Sequence, residues 1–178
     1  MRILVAITGA SGLSYGARLV SVLRRMTGVQ TSVVISSGAK EVAKAEGTNL
    51  PKADYGELDF SCTYASGSNP PDAMIVIPCS LKTLGEIANG VGNTLTTRAA
   101  EVVLKERKKL ILVVRETPYS LITIRNMETV TLAGGVVLPA SPGFYGKPKK
   151  VDELIDFIVA RVLDQIGLKH DISKRWKA

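Results

Sequence analysis

Histidine is almost missing from this chain: His170 is the only one in 178 residues, and cysteine occurs twice, as Cys62 and Cys79. These absences exclude a disulfide framework and a four-cysteine zinc site, and they leave too few ligands for a protein-held catalytic transition metal. Aromatic residues make up only 5% of the sequence. A nucleic-acid binder interleaves aromatics with a continuous basic stripe, and neither feature is present. No apolar run approaches the roughly 18 residues that a membrane span needs. The opening run Met1 to Thr8 resembles the start of a signal peptide but breaks at Gly9 without a small-residue cleavage site, so it reads as a first strand and the expected location is the cytoplasm. There is no internal repeat and no low-complexity tract.

What is present has a globular balance, with 46% apolar and 22% charged residues. At about 150 residues per domain, the length predicts one domain over residues 1–178. The net charge of +7 is local rather than spread: the stretches 98–116 and 146–178 account for +6 of it. Bases clustered in this way suit a small anion.

Apolar periodicity predicts strands over Ile3–Thr8, Thr31–Ile35, Ala73–Ile77, Leu110–Val114 and Gly135–Leu138. Helices are predicted over Leu13–Met26, Ala39–Ala45, Leu81–Ala88, Leu95–Glu106, Ile122–Leu132 and Val151–Ile166. The strands are continuous apolar runs, the pattern of a sheet buried on both faces. Strands alternating with helices predict an α/β fold with a doubly wound parallel sheet, a three-layer sandwich of flavodoxin or Rossmann type. Residues Gly47 to Asp72 form a long excursion with little periodicity, expected to be a lid or disordered.

In such a fold ligands sit beyond the carboxyl ends of the strands. That rule selects Gly9–Gly12, Ser36–Gly38, Pro78–Thr83, Arg115–Ser120 and Pro139–Pro148. Thr8-Gly9-Ala10-Ser11-Gly12 turns from strand into helix, and it suits a phosphate or an electron-rich ring as well as it suits an ordinary turn. It is not a Gly-x-Gly-x-x-Gly fingerprint, and Ser36-Ser37-Gly38 stands where a dinucleotide site wants a ribose-binding acid. Ser80 and Thr83 could donate hydroxyls to a phosphate, or Ser80 could simply cap the following helix. Cys79 reads as a packing residue. Arg98 and Lys105, seven apart, share a face of one helix, and Arg115-Glu116 ends a very apolar strand. Tyr145 and Lys149 form a Tyr-x-x-x-Lys pair, but Pro148 between them opposes the helix that a dehydrogenase would need. Arg161 lies beside an apolar helical stripe, and Trp176 reads as a packing anchor or part of a lid.

Taken together, Thr8-Gly9-Ala10-Ser11-Gly12, Ile77-Pro78-Cys79-Ser80, Arg98-Ala99-Ala100-Glu101 with Leu104-Lys105-Glu106-Arg107, Arg115-Glu116-Thr117-Pro118, Pro142-Gly143-Phe144-Tyr145 and Arg175-Trp176 resemble the UbiX-type flavin prenyltransferases in order and spacing over nearly the whole chain. The resemblance implies transfer of a dimethylallyl group from dimethylallyl phosphate to reduced FMN, without a metal. It further implies a prenylated cofactor for UbiD-type decarboxylases and a homo-oligomer, by family pattern a dodecamer. It assigns Gly9, Ala10, Ser11, Ser36, Ser80, Thr83 and Arg115 to FMN. Lys105, Tyr145 and Arg161 would hold the prenyl phosphate, with Arg98 in support and Trp176 closing the site. Ser11, Glu46, Lys105 and Glu116 would serve the chemistry, with Glu116 expected within reach of Ser11. The chain departs from the family pattern at Asn93-Thr94 and at Val114, and neither change removes a base or a nucleophile.

Two other functions compete with this one. An FMN-dependent cysteine decarboxylase of related fold would need a catalytic histidine, and only His170 is available. A non-catalytic flavin-binding protein would have no use for a second anion site.

Overall fold

The structure, a computed structural model, describes residues 1–176. Five parallel strands, β1 (Arg2–Ile7), β2 (Gln30–Ile35), β3 (Ala73–Cys79), β4 (Lys109–Val114) and β5 (Val136–Val137), form one sheet in the order β2-β1-β3-β4-β5. Every residue of β3 is buried, as a continuous apolar run in a central strand requires. The expected α/β doubly wound class is what the chain adopts. Its connections change direction between β1 and β3, so the chain departs to opposite sides there and leaves a crevice at the carboxyl end of the sheet.

Helices α1 (Leu13–Leu23), α2 (Ser37–Glu46) and α6 (Val151–Gln165) cover one face, around Ile3, Val5, Ile75 and Ile158. Helices α3 (Leu81–Ala88), α4 (Leu95–Lys105) and α5 (Leu121–Leu132) cover the other, around Leu4, Met74, Leu84 and Leu110. Successive strand residues point to opposite faces, so each strand feeds both clusters. Helix α1 stops at Leu23 rather than at the expected Met26, because the chain turns there toward a left-handed Gly28.

The excursion between α2 and β3 is packed onto the sheet edge and the second face. Its Tyr55 bridges Val34, Asp54 accepts from the Val33 amide at 2.9 Å, and both therefore lie along the open edge of β2. Further on, Cys62 and Tyr64 are buried in the core of the second face, and Arg98 Nε donates to the Ala65 carbonyl at 3.1 Å. Apolar anchors spaced too irregularly to show a period hold this segment down.

Helix α1 crosses β3 closely because Gly16 has no side chain. A Cβ at that position would lie 2.4 Å from the Ile77 carbonyl oxygen and 3.0 Å from Ile7 Cγ1. Gly16→Ala is therefore expected to destabilise the fold by about 1–3 kcal/mol, the usual cost of overpacking, despite alanine's better helix propensity. Urea denaturation should show the loss; a midpoint at or above wild type would mean that α1 can slide on the sheet.

Candidate active site

Beyond the carboxyl ends of β1, β2, β3 and β4 lies a cleft of about 320 Å³, within the range of small-ligand sites. Its walls include Gly9, Ala10, Ser36, Ser80, Thr83, Arg115 and Glu116, so the structure gathers most of the sequence-predicted cofactor set in one place. Thr8 holds the two central strand ends together: its hydroxyl donates to the Pro78 carbonyl at 2.8 Å and accepts from the Ser80 amide at 2.9 Å. Gly9 lets the first turn meet α2 backbone to backbone, since a Cβ there would fall 2.9 Å from the Gly38 carbonyl carbon.

Ser36, Ser80 and Thr94 cap α2, α3 and α4, their hydroxyls accepting from the amides of Ala39, Thr83 and Thr97. Both serines are thus caps as well as cleft residues. A capping hydroxyl accepts through a lone pair and keeps its proton for a ligand. The three helix N-termini converge on the cleft, and their partial positive charges favour an anion. Arg115 adds a full charge. Its Nε is buried and has no hydrogen-bond partner among the described residues, and the same holds for the hydroxyl of Thr96, another residue of the cleft. A buried N–H left unpaired costs about 1–3 kcal/mol, so the cleft is built for an acceptor that Arg115 can bind.

Ser11 is exposed at the lip rather than in the wall, and its partner is Glu46, not Glu116. Glu116 instead accepts from the Thr117 amide at 2.9 Å, because the chain turns immediately after β4 and folds the carboxylate back on its own backbone. Helix α1 begins at Gly12, which has no side chain to cap it, and the Glu46 carboxylate at the end of α2 accepts from the Gly12 and Leu13 amides at 2.8 and 3.3 Å. Partial burial pushes the Glu46 carboxyl up. Hydrogen bonds from Ser11, Gly12 and Leu13, with the Arg115 charge, outweigh that and hold it below the usual range. Glu46 is therefore a carboxylate at neutral pH, with the Ser11 hydroxyl hydrogen-bonded to it. Cys79, fully buried, has its thiol pushed far up by desolvation and is a packing residue.

The predicted phosphate-binding residues do not meet within one chain. Tyr145, Arg161 and Trp176 line a separate pocket of about 280 Å³ between α6 and the C-terminal segment. The Tyr145 ring stands edge-on to Trp176 at 5.1 Å and to Phe157 at 5.8 Å. Arg161 lies one turn from the end of α6, where the Gln165 carbonyl accepts from Lys109 at the entry of β4, the end of the sheet away from the cleft. Arg98 and Lys105 ride on α4, across the sheet from α6, and each is paired on its own helix or beside it, with Glu101 and Glu106 respectively. The intervening sheet keeps the two groups of bases apart.

Thr94, Thr96, Glu57 and Glu86 also line the cleft, beyond the residues that the strand-end rule picks out. A capping signal at Thr94 was legible; the others carried none, Glu57 because it lies in the aperiodic excursion. Its carboxylate accepts from the Ser37 amide and its carbonyl from the Leu95 amide, tying α2 to α4 across the cleft.

A doubly wound parallel sheet whose switch point carries helix N-termini and an arginine is built to hold an anionic ligand, and the Flavoprotein family model matches residues 1–163, which makes the chain a flavoprotein. Flavin prenyltransferase UbiX of Thermoplasma acidophilum is 46% identical over 183 residues, covering 99% of this chain and 100% of that protein, and the Methanocaldococcus jannaschii UbiX is 44% identical at 99% and 98% coverage. The chain belongs to the UbiX family of flavin prenyltransferases. The crystal structure of AnUbiX (PadA1) with FMN and dimethylallyl pyrophosphate superposes with a TM-score of 0.94 at 43% identity, over 99% of this chain and 97% of that one. A dodecameric FMN-dependent UbiX-like decarboxylase from Escherichia coli O157:H7 gives 0.93 at 41%, over the full length of both. The peptidyl-cysteine decarboxylase EpiD shares the fold alone, with a TM-score of 0.63 at 16% identity over 93% of this chain and 97% of that one.

Because the folded-state pKa of Glu46 lies below its ordinary value, its ionised form stabilises the fold. That contribution is complete above the ordinary value of 4.5 and is lost as the pH falls through the lowered folded value. Glu46→Gln is expected to cost up to about 1 kcal/mol at pH 7, as loss of a helix cap does. The gap to wild type should close in acid below pH 4.5 when unfolding is followed by circular dichroism. A gap independent of pH would show that the carboxylate charge is not what caps α1.

Proposed function

We propose that this protein transfers the dimethylallyl group of dimethylallyl phosphate to reduced FMN. The observation that carries the reading is Arg115, whose buried Nε has no hydrogen-bond partner among the described residues, in the wall of a cleft ringed by three helix N-termini. Those residues fit FMN: Gly9 and Ala10 give close backbone approach, and Ser36, Ser80, Thr83 and Arg115 offer donors to its phosphate and carbonyl oxygens. Bound and reduced, FMN supplies the nucleophilic ring nitrogen and neighbouring carbon that accept the prenyl unit.

The chain's own groups manage charge and protons. The prenyl carbon–oxygen bond breaks with its electron pair leaving on phosphate, so the bases around that phosphate must stabilise a growing negative charge. Tyr145 and Arg161 are the donors assigned to it, with Trp176 closing the pocket. Arg98 and Lys105 of a second copy complete the set, since one chain's sheet separates them from Arg161. Positioned at the lip, Ser11 passes a proton between the cleft and the Glu46 carboxylate, and Glu116 orients groups at the rim. We read residues 1–178 as one flavoprotein domain, place it in the cytoplasm, which suits its two free buried cysteines, and assign its product to a UbiD-type decarboxylase.

A cysteine decarboxylase is disfavoured by position: the chain's only histidine lies in the C-terminal pocket against Asp164, not in the cleft. A passive flavin carrier leaves the Tyr145–Arg161 pocket without a purpose.

Incubation with reduced FMN and dimethylallyl phosphate, or in parallel the diphosphate, is expected to give flavin heavier by one prenyl unit in mass spectrometry. Unmodified flavin with both donors would refute the activity. For the shared site, Arg161→Ala and Lys105→Ala proteins should each be impaired about 10- to 100-fold. Mixed and reassembled, they should regain part of the wild-type rate, because some sites then receive both intact residues; no recovery would place the whole site within one chain.

A further inference from the structure

The pocket that holds Tyr145, Arg161 and Trp176 also contains a cluster built around the Asp164 carboxylate. The Asp164 carboxylate accepts three hydrogen bonds at once: from Arg161 Nη1 at 2.7 Å, from Arg175 Nη2 at 2.8 Å, and from His170 Nε2 at 3.0 Å. Arg161 is on α6, one turn before Asp164, while His170 and Arg175 lie on the segment that follows the helix. One carboxylate therefore joins the predicted phosphate ligand to the chain that carries Trp176. His170 is nearly enclosed, with 3% of its side chain exposed, and its Nδ1 is buried without a partner among the described residues.

An isolated surface pair of the Arg161–Asp164 kind contributes little to stability. Three donors on one carboxylate, drawn from two segments, are a different object. They cancel a single negative charge against at least two guanidinium charges and leave the pocket positive, as a phosphate requires. Each guanidinium has five N–H donors, so Arg161 can hold Asp164 with one edge and offer another to a ligand. About half of the Arg161 side chain is exposed, which leaves that edge accessible.

We propose that Asp164 is a positioning residue for the prenyl-phosphate site, aiming Arg161 at the phosphate and fastening the Arg175–Trp176 segment over it, with His170 fixing the carboxylate's orientation. The proposal rests on the prenyl-transfer reading above. Burial pushes the Asp164 carboxyl up, but the hydrogen bonds from Arg175 and His170 and their charges outweigh it and keep the group below its ordinary range, so it is ionised wherever the enzyme works near neutrality.

The test uses the FMN-loaded full chain. Asp164→Asn is expected to raise KM for dimethylallyl phosphate by about 10- to 100-fold while leaving FMN binding intact and kcat within about threefold, the pattern of a ligand that has lost its aim. Asp164→Glu, which keeps the charge, should recover most of the KM. Trp176 is the only tryptophan, so its fluorescence reports the segment directly. Acrylamide quenching should increase in Asp164→Asn, and adding dimethylallyl phosphate should protect Trp176 in wild type but not in the variant. Arg175 is largely exposed and its replacement spares the core, so Arg175→Gln, with the same two shifts expected, decides the matter if Asp164→Asn fails to fold. Unchanged KM and unchanged quenching in a variant that still binds FMN would overturn the proposal while prenyl transfer stands. If wild type transfers no prenyl group, the activity falls, and equal quenching in wild type and variants would then remove the Asp164 tie as well.

Discussion

Burial of a parallel sheet on both faces is the constraint from which the site follows. Each parallel connection must cross over through a helix, so the helices run antiparallel to the strands and begin at the carboxyl end of the sheet. Here the caps of α2, α3 and α4 meet the strand ends at a single crevice, opened where the chain reverses direction between β1 and β3. The positive end of that crevice is a property of the topology before any side chain is considered.

Side chains then turn a generally electropositive crevice into a specific one. Arg115 follows the buried β4 with a nitrogen that nothing among the described residues satisfies, an expense that a ligand acceptor would offset. Glu46 is employed in the opposite sense, closing the N-terminus of α1 and so withdrawing one of the available anion sites from the ligand while holding Ser11 at the lip. The division leaves a donor-rich cleft and, outside its wall, a carboxylate hydrogen-bonded to a hydroxyl, the pair to which the proposed reading gives the proton traffic.

The second basic pocket, on α6 and the C-terminal segment, stands at the far end and side of the chain from that cleft. On the proposed reading, a lone subunit carries two half-sites that cannot act on one substrate together, which would give assembly a chemical purpose. The dodecameric relative has the same full-length fold. Within the pocket, Asp164 makes the two half-exposed arginines act as one unit instead of as two mobile surface charges.

The sequence by itself determined the alternation of elements, because apolar runs in Ile3–Ile7, Ala73–Ile77 and Leu110–Val114 and helical spacing in α1, α4 and α6 are local patterns that burial enforces. It also located Gly9, Ser36, Ser80 and Arg115, since in a doubly wound sheet strand ends are the site. Only the tertiary structure decided what each polar group faces. Ser11 could not be assigned to Glu46 instead of Glu116 from spacing, as the two candidates lie 35 and 105 residues away and α2 alone brings the nearer one to the α1 cap. The excursion's anchors at Tyr55, Cys62 and Tyr64 were invisible because they follow the shape of a sheet edge and a core, not a period. Separation of Lys105 from Arg161 was likewise decided in three dimensions: chain order is silent on which face of a sheet a helix covers, and that choice is made by the handedness of the crossovers.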